Sequence, residues 1–150
     1  MAGESQSLGS VGMGKTIQSD SLIIRRCDKD IFAFLGDFTN FSPLMPEQVV
    51  NWQATSDQCS FEVQGLASLG MRITDRNPYE SIIMTGEGNI PFGFTLTCSL
   101  AMKNETETLT RLVIDSDMNS FMMMMAEKPL ENFVNILVSR LKEVMESQTV

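Results

Sequence analysis

The C-terminal stretch constrains this chain most. Leu130, Phe133, Val134, Leu137, Leu141, Val144 and Met145 recur at the steps that align side chains on one face of a helix. A sulfur-rich run, Phe121-Met122-Met123-Met124-Met125, leads into that helix, and Pro129 lies inside it. Residues 47 to 118 instead read as short strands. Strands with one apolar face must bury it, and the terminal helix is the only large apolar surface left to receive them. The expected fold is α+β: a curved antiparallel sheet wrapped around a long C-terminal α-helix, with two short helices after the first strand.

The elements follow from local pattern. Ile17 to Arg26 reads as a strand, carrying Leu22, Ile23 and Ile24. Asp28 is a good N-cap for a two-turn helix through Ile31, Phe32, Phe34 and Leu35, stopped by Gly36. A second short helical piece, Phe38 to Leu44, is broken up by Pro43 and Pro46. Val49 to Trp52 begins the strands. Cys59, Phe61 and Val63 alternate with polar residues, as do Leu69, Met71 and Ile73. Asn77-Pro78 marks a turn, and Ser81 to Thr85 a short apolar strand. Phe92, Phe94, Leu96, Cys98, Leu100 and Met102 give the cleanest alternation, and Thr108 to Ser116 returns with Leu112 and Ile114 inward. Residues 1–14 read as a flexible leader and 15–146 as one folded domain.

Composition removes several function classes. The net charge of −8, from 11 basic and 19 acidic residues, argues against nucleic acid and against anionic membranes. No apolar run is long enough to cross a bilayer, so stable membrane insertion is not expected. The start of the chain lacks the apolar core of a secretory signal, and three widely spaced cysteines suggest reduced thiols; both point to the cytoplasm. The chain has no histidine, which removes the usual general base, proton shuttle and commonest metal ligand.

Motifs that promise chemistry lack their context. Gly9 to Thr16 matches the phosphate-loop pattern GxxxxGK[ST], but no strand character precedes it and a strand, not a helix, follows. Asp115 with Asp117, and Asp28 with Asp30, are carboxylate pairs without a calcium-loop glycine, so no metal or other cofactor is expected. Arg72, Arg76, Arg111, Tyr79, Asp115 and Asp117 are the candidates for acid–base work. Alternation sends Arg72 and Arg111 outward, so no catalytic residue is assigned.

A sheet of this size cannot close tightly on one helix, so a cavity of ~300–1,000 Å³ between them is expected. Its candidate lining from the strands is Phe61, Met71, Ile73, Met84, Phe92, Phe94, Leu96 and Leu112. From the helix come Phe121, Met122, Met125 and Phe133. Methionine packs around irregular shapes, including a bound apolar molecule or a filled core. Thr85, Ser116 and Tyr79 are the polar groups that would orient a ligand. Pro129 beside the methionine run suggests a kinked upper turn that gates the cavity mouth.

The layout, with Ile31 to Phe41, Leu44 to Val49, Asn51-Trp52 and Asn119 to Leu137, resembles the START-like (SRPBCC) superfamily and its helix-grip fold. That group includes lipid-transfer domains, plant pollen allergens and polyketide cyclases, and the nearest resemblance is to small stand-alone bacterial members, largely uncharacterised. It spans about residues 15–146 and carries no shared catalytic motif. The resemblance implies a deep apolar pocket for a lipid-like or polyketide-like molecule. The expected function is non-catalytic binding or carriage of a small hydrophobic ligand. The alternatives are a polyketide cyclase- or dehydratase-type enzyme, or a protein-interaction module with a filled core. A homodimer through an edge strand is a further possibility.

Overall fold

The computed structural model describes residues 15–64, 67–88 and 92–147. The leader expected over residues 1–14 lies outside the described residues. β1 (Lys15–Gln18) and β2 (Leu22–Ile24) come first, followed by helix α1 (Asp28–Leu35) and two 3-10 turns, Phe38–Asn40 and Ser42–Leu44. β3 (Val49–Ala54), β4 (Gln58–Val63), β5 (Ala67–Asn77), β6 (Ser81–Glu87), β7 (Phe94–Asn104) and β8 (Glu107–Ser116) form a meander. Helix α2 (Ser120–Ser147) closes the chain. The 8-stranded antiparallel sheet runs β1-β8-β7-β6-β5-β4-β3, with β2 also on β8.

Three local outcomes differ from the sequence reading. The strand expected over residues 17–26 is two strands. Between them the Ser19 N–H donates to the Leu112 carbonyl at 2.9 Å, and the Ser19 hydroxyl accepts from the Leu112 N–H at 2.9 Å. One hydroxyl thus replaces a backbone carbonyl in the ladder and lets the edge bend. Asp28 is the first helical residue of α1, not its cap; Cys27 holds the cap position with no capping side chain. The charges of Asp28 and Asp30 still sit in the first turn, where they favour the helix dipole. The second short helix is a pair of 3-10 turns, because Pro43 falls at the start of the second one and forbids a continuous ladder.

Bulges curl the sheet. Register shifts occur between Val50 and Gln53 on β3, and between Ile73 and Asp75 on β5. Asn51 sits in the first with φ 56°, a left-handed conformation asparagine tolerates. The inward face then meets two covers. α1 lies on β6 and β7, while α2 lies on β1, β2, β8 and the second 3-10 turn. Polar ties fix α2 lengthwise: Asn135 accepts from the Asp20 N–H, Lys142 donates to the Ile23 carbonyl, and Arg140 donates to the Met45 carbonyl.

Candidate functional site: the inward face of the sheet

The inward face is built by alternation. Ile73, Met84, Leu96, Ile114 and Ile17 lie side by side across five strands. Ile82, Cys98 and Leu112 form the next row. Of the sequence-predicted lining, Phe61, Met71, Ile73, Met84, Leu96 and Leu112 are all buried on this face. Phe92, Phe94, Met122 and Phe133 are partly buried and pack at the margin of the same core. Phe121 and Met125 do not belong with them: they are 70% and 69% exposed. The inward face of α2 carries Met123, Val134, Leu137 and Leu141, and helical geometry places Phe121, Met124 and Met125 on its other side.

Among the described residues, this part of the interior is nearly full. A small void under α1 and α2 measures about 10 Å³, about one water-sized sphere, and Leu96, Cys98, Leu112, Leu137 and Leu141 are among its walls. This differs from the expected chamber of ~300–1,000 Å³. The cause is aromatic filling from the 3-10 turns. Phe38 meets Phe41 edge-on at 5.1 Å, Phe41 stacks parallel to Trp52 at 6.4 Å, and Trp52 meets Phe61 at 5.5 Å. These four rings occupy the space that a bare helix on a sheet would leave.

Burial is uneven along the face. Ile82 and Met84 are fully buried, whereas Leu69, Phe92 and Phe94, nearer the start of α2, are only partly so. Met122, Leu130 and Phe133 on the N-terminal half of α2 are likewise partly covered. Phe94 lies over Gly86, whose missing side chain makes room for it: a Cβ there would stand 2.2 Å from the Phe94 ring.

The polar groups of this face are few. Its buried polar side chains are Thr108, Thr110 and Ser116, with Ser19 at the edge. Thr108 donates to the Arg26 carbonyl at 2.9 Å, while the Thr110 hydroxyl has no partner among the described residues. Burial pushes the thiols of Cys59 and Cys98 up to about 12, so both stay protonated at neutral pH. Of the expected orienting groups, only Ser116 faces inward. Thr85 lies on the outer face, 3.0 Å from Thr74. Tyr79 sits in a turn at φ 66°, 43% exposed, edge-on to Phe32 and beneath the Lys29 ammonium.

The charged candidates all lie outside the core. Arg72 pairs with Glu87 at 2.6 Å; Arg76 clasps the Gly36 carbonyl and Asp57; Arg111 is exposed. Asp115 accepts from Thr16, the last residue of the phosphate-loop match, and Asp117 accepts from the Gly93 N–H. Lys15 and Thr16 are in β1, so a helix does not follow that match. Among the described residues no group of three acidic, cysteine or histidine side chains forms a metal site, and no helix is long and apolar enough to cross a membrane.

A second space shares only Phe61 with the lining expected from the sequence. A groove of about 480 Å³ crosses β3 to β6, along the register row Gln53, Ser60, Gly70 and Glu87. Its walls include Asn51, Glu62 and Ser68 together with Cys59, Phe61 and Leu69, and it is open to solvent and more apolar than polar. Phe61 and the glycines Gly70 and Gly88 are its trace in the sequence.

No family model and no curated protein matches the chain. Solved structures do. A START superfamily protein from Mycobacterium smegmatis is 14% identical, with TM-score 0.71 over 89% of this chain and 99% of that one. Norcoclaurine synthase from Thalictrum flavum, solved with dopamine and hydroxybenzaldehyde, is 9% identical, with TM-score 0.73 over 91% and 89%. The protein XoxI from Bacillus cereus is 10% identical, with TM-score 0.68 over 89% and 95%. At these identities the likeness concerns architecture, and one neighbour is an enzyme. The chain has the START-like, or SRPBCC-like, helix-grip fold.

Proposed function

We propose that the protein binds a small apolar molecule, lipid-like or polyketide-like, at the half-covered end of its core and does no chemistry on it. One observation carries this reading: burial on a single continuous apolar face falls from complete at Ile82 and Met84 to partial at Leu69, Phe92, Phe94, Met122 and Phe133. A ligand enters there by displacing side chains, not by filling an empty chamber. Met122 has an unbranched, adaptable side chain suited to such movement. Burial of ~300 Å² of ligand apolar surface contributes on the order of 7 kcal/mol before the cost of association.

The absence of catalysis is part of the proposal. The buried polar groups described are hydroxyls, and the buried thiols are held protonated. A cyclase- or dehydratase-type reaction needs an acid–base pair near the ligand, and the candidates Arg72, Arg76, Arg111, Asp115 and Asp117 lie outside the core. We assign the cytoplasm as its location, where three free cysteines stay reduced.

Native mass spectrometry of freshly purified protein tests the reading. A co-purifying apolar mass, or a raised melting temperature with fatty acids or aromatic polyketides, is the expected result. A clean apo mass with an unmoved melting temperature across both ligand classes would overturn it.

A further inference from the structure

The opposite side of α2 offers a different surface. Phe121, Met124 and Met125 are 70%, 79% and 69% exposed, whereas Met123 is 3% exposed. Single exposed apolar residues need no explanation, but three large ones on one side of one helix form a patch. Glu127 and Lys128 follow on the next turn, and Asp115 and Asp117 precede the helix, all exposed. Counting Glu131, and Lys15 whose backbone pairs with Ser116 between the two aspartates, that neighbourhood holds four acids to two bases, in a chain of net charge −8. Several of the protein's basic residues are committed at the far end of α2, where Arg25 and Lys142 pair with Glu146 and Arg26 pairs with Asp30.

We propose that this patch docks a basic amphipathic helix of another protein. The apolar stripe of such a helix covers Phe121, Met124 and Met125, and its lysines and arginines meet the acidic rim. Methionine side chains adapt to the ridges of the incoming helix. The charge balance selects this occupant. A second copy brings −8 against −8, and an anionic lipid surface brings like charge as well. The patch is separate from the inward apolar face, so this inference does not depend on the ligand-binding reading.

Fluorescence anisotropy with a labelled leucine/lysine amphipathic helix tests it on the full chain, with a leucine/glutamate helix of the same pattern as control. The lysine helix binds, the glutamate helix does not, and raising salt from ~50 to ~500 mM weakens binding. The combined variant Phe121→Ser, Met124→Ser, Met125→Ser weakens binding at least ~10-fold. Circular dichroism of that variant stays unchanged, because all three side chains are exposed. Glu127→Lys leaves the apolar patch intact; it weakens binding at low salt and has less effect at high salt. Equal binding of the lysine helix to the wild type and the serine variant overturns the proposal. So does failure of that helix to bind while phosphatidylcholine vesicles sediment the wild type, which assigns the patch to a lipid surface. A dimer abolished by the serine variant, without peptide binding, assigns it instead to a second copy.

Discussion

At the scale of single residues, Gly86 and the buried thiols set measurable limits. A Cβ at Gly86 would stand 2.2 Å and 2.6 Å from two atoms of the Phe94 ring, so Gly86→Ala forces that ring out of its seat. The expected loss is ~1–3 kcal/mol in urea unfolding; an unmoved midpoint would mean that Phe94 leaves its place without cost. Cys98 gives the alkaline limit. Its folded pKa is raised from 9.0 to about 12 by burial, so the unfolded thiol ionises first. The Cys98 contribution is therefore flat below pH 9 and falls as pH rises from 9 toward 12, and Cys98→Ala flattens part of that slope in thermal melts. Glu146 gives the acid limit. Burial works against its charged form, but hydrogen bonds from Lys142 and the Arg25 N–H, with the charges of both residues, outweigh it and hold the carboxyl below its ordinary 4.5. That contribution is present above pH 4.5 and is lost as pH falls below it, so Glu146→Gln reduces the acid dependence of the melt. Burial of Cys59 and Cys98 was legible, since both occupy apolar positions of alternating strands. The role of Gly86 was not, because Phe94 reaches it only across the β6–β7 pair.

At the scale of elements, α2 invites a test of motion. Pro129 lies inside the helix without an N–H to offer the preceding turn. Pro129→Ala, at an exposed position, is expected to raise stability by ~1–3 kcal/mol, measured by urea unfolding. If the first turns gate the half-covered end, the same variant slows ligand uptake in stopped-flow fluorescence; unchanged uptake would sink the gate. Most elements could be read from local pattern. The alternation from Phe92 to Met102 became β7, shifted to Phe94–Asn104, and the stripe from Leu130 to Met145 became the inward side of α2. The methionine run was harder. Four identical residues carry no periodicity of their own, and only carrying the Leu130 stripe back by seven residues, through Pro129, places Met123 inward and Met124 and Met125 outward. The break at Ser19 was equally hidden, since it is made by hydrogen bonds to Leu112, 93 residues away.

For the whole molecule, the decisive quantity is the space left inside. Leu137→Ala opens a wall of the 10 Å³ void and is expected to cost ~2–5 kcal/mol, read by urea unfolding. A small aromatic such as benzene then recovers part of the lost melting temperature, as it fills the new cavity. No recovery would show that the surrounding side chains collapse into the gap. The sequence by itself determined the kinds of element, which face of each is apolar, and that strands must close on a terminal helix. Those properties follow from residue spacing and need only neighbours along the chain. The tertiary structure alone decided how much room remains between them. That volume is a small difference between the curvature set by bulges at Asn51 and Ile73–Asp75 and the bulk of Phe38, Phe41, Trp52 and Phe61, which meet only after folding.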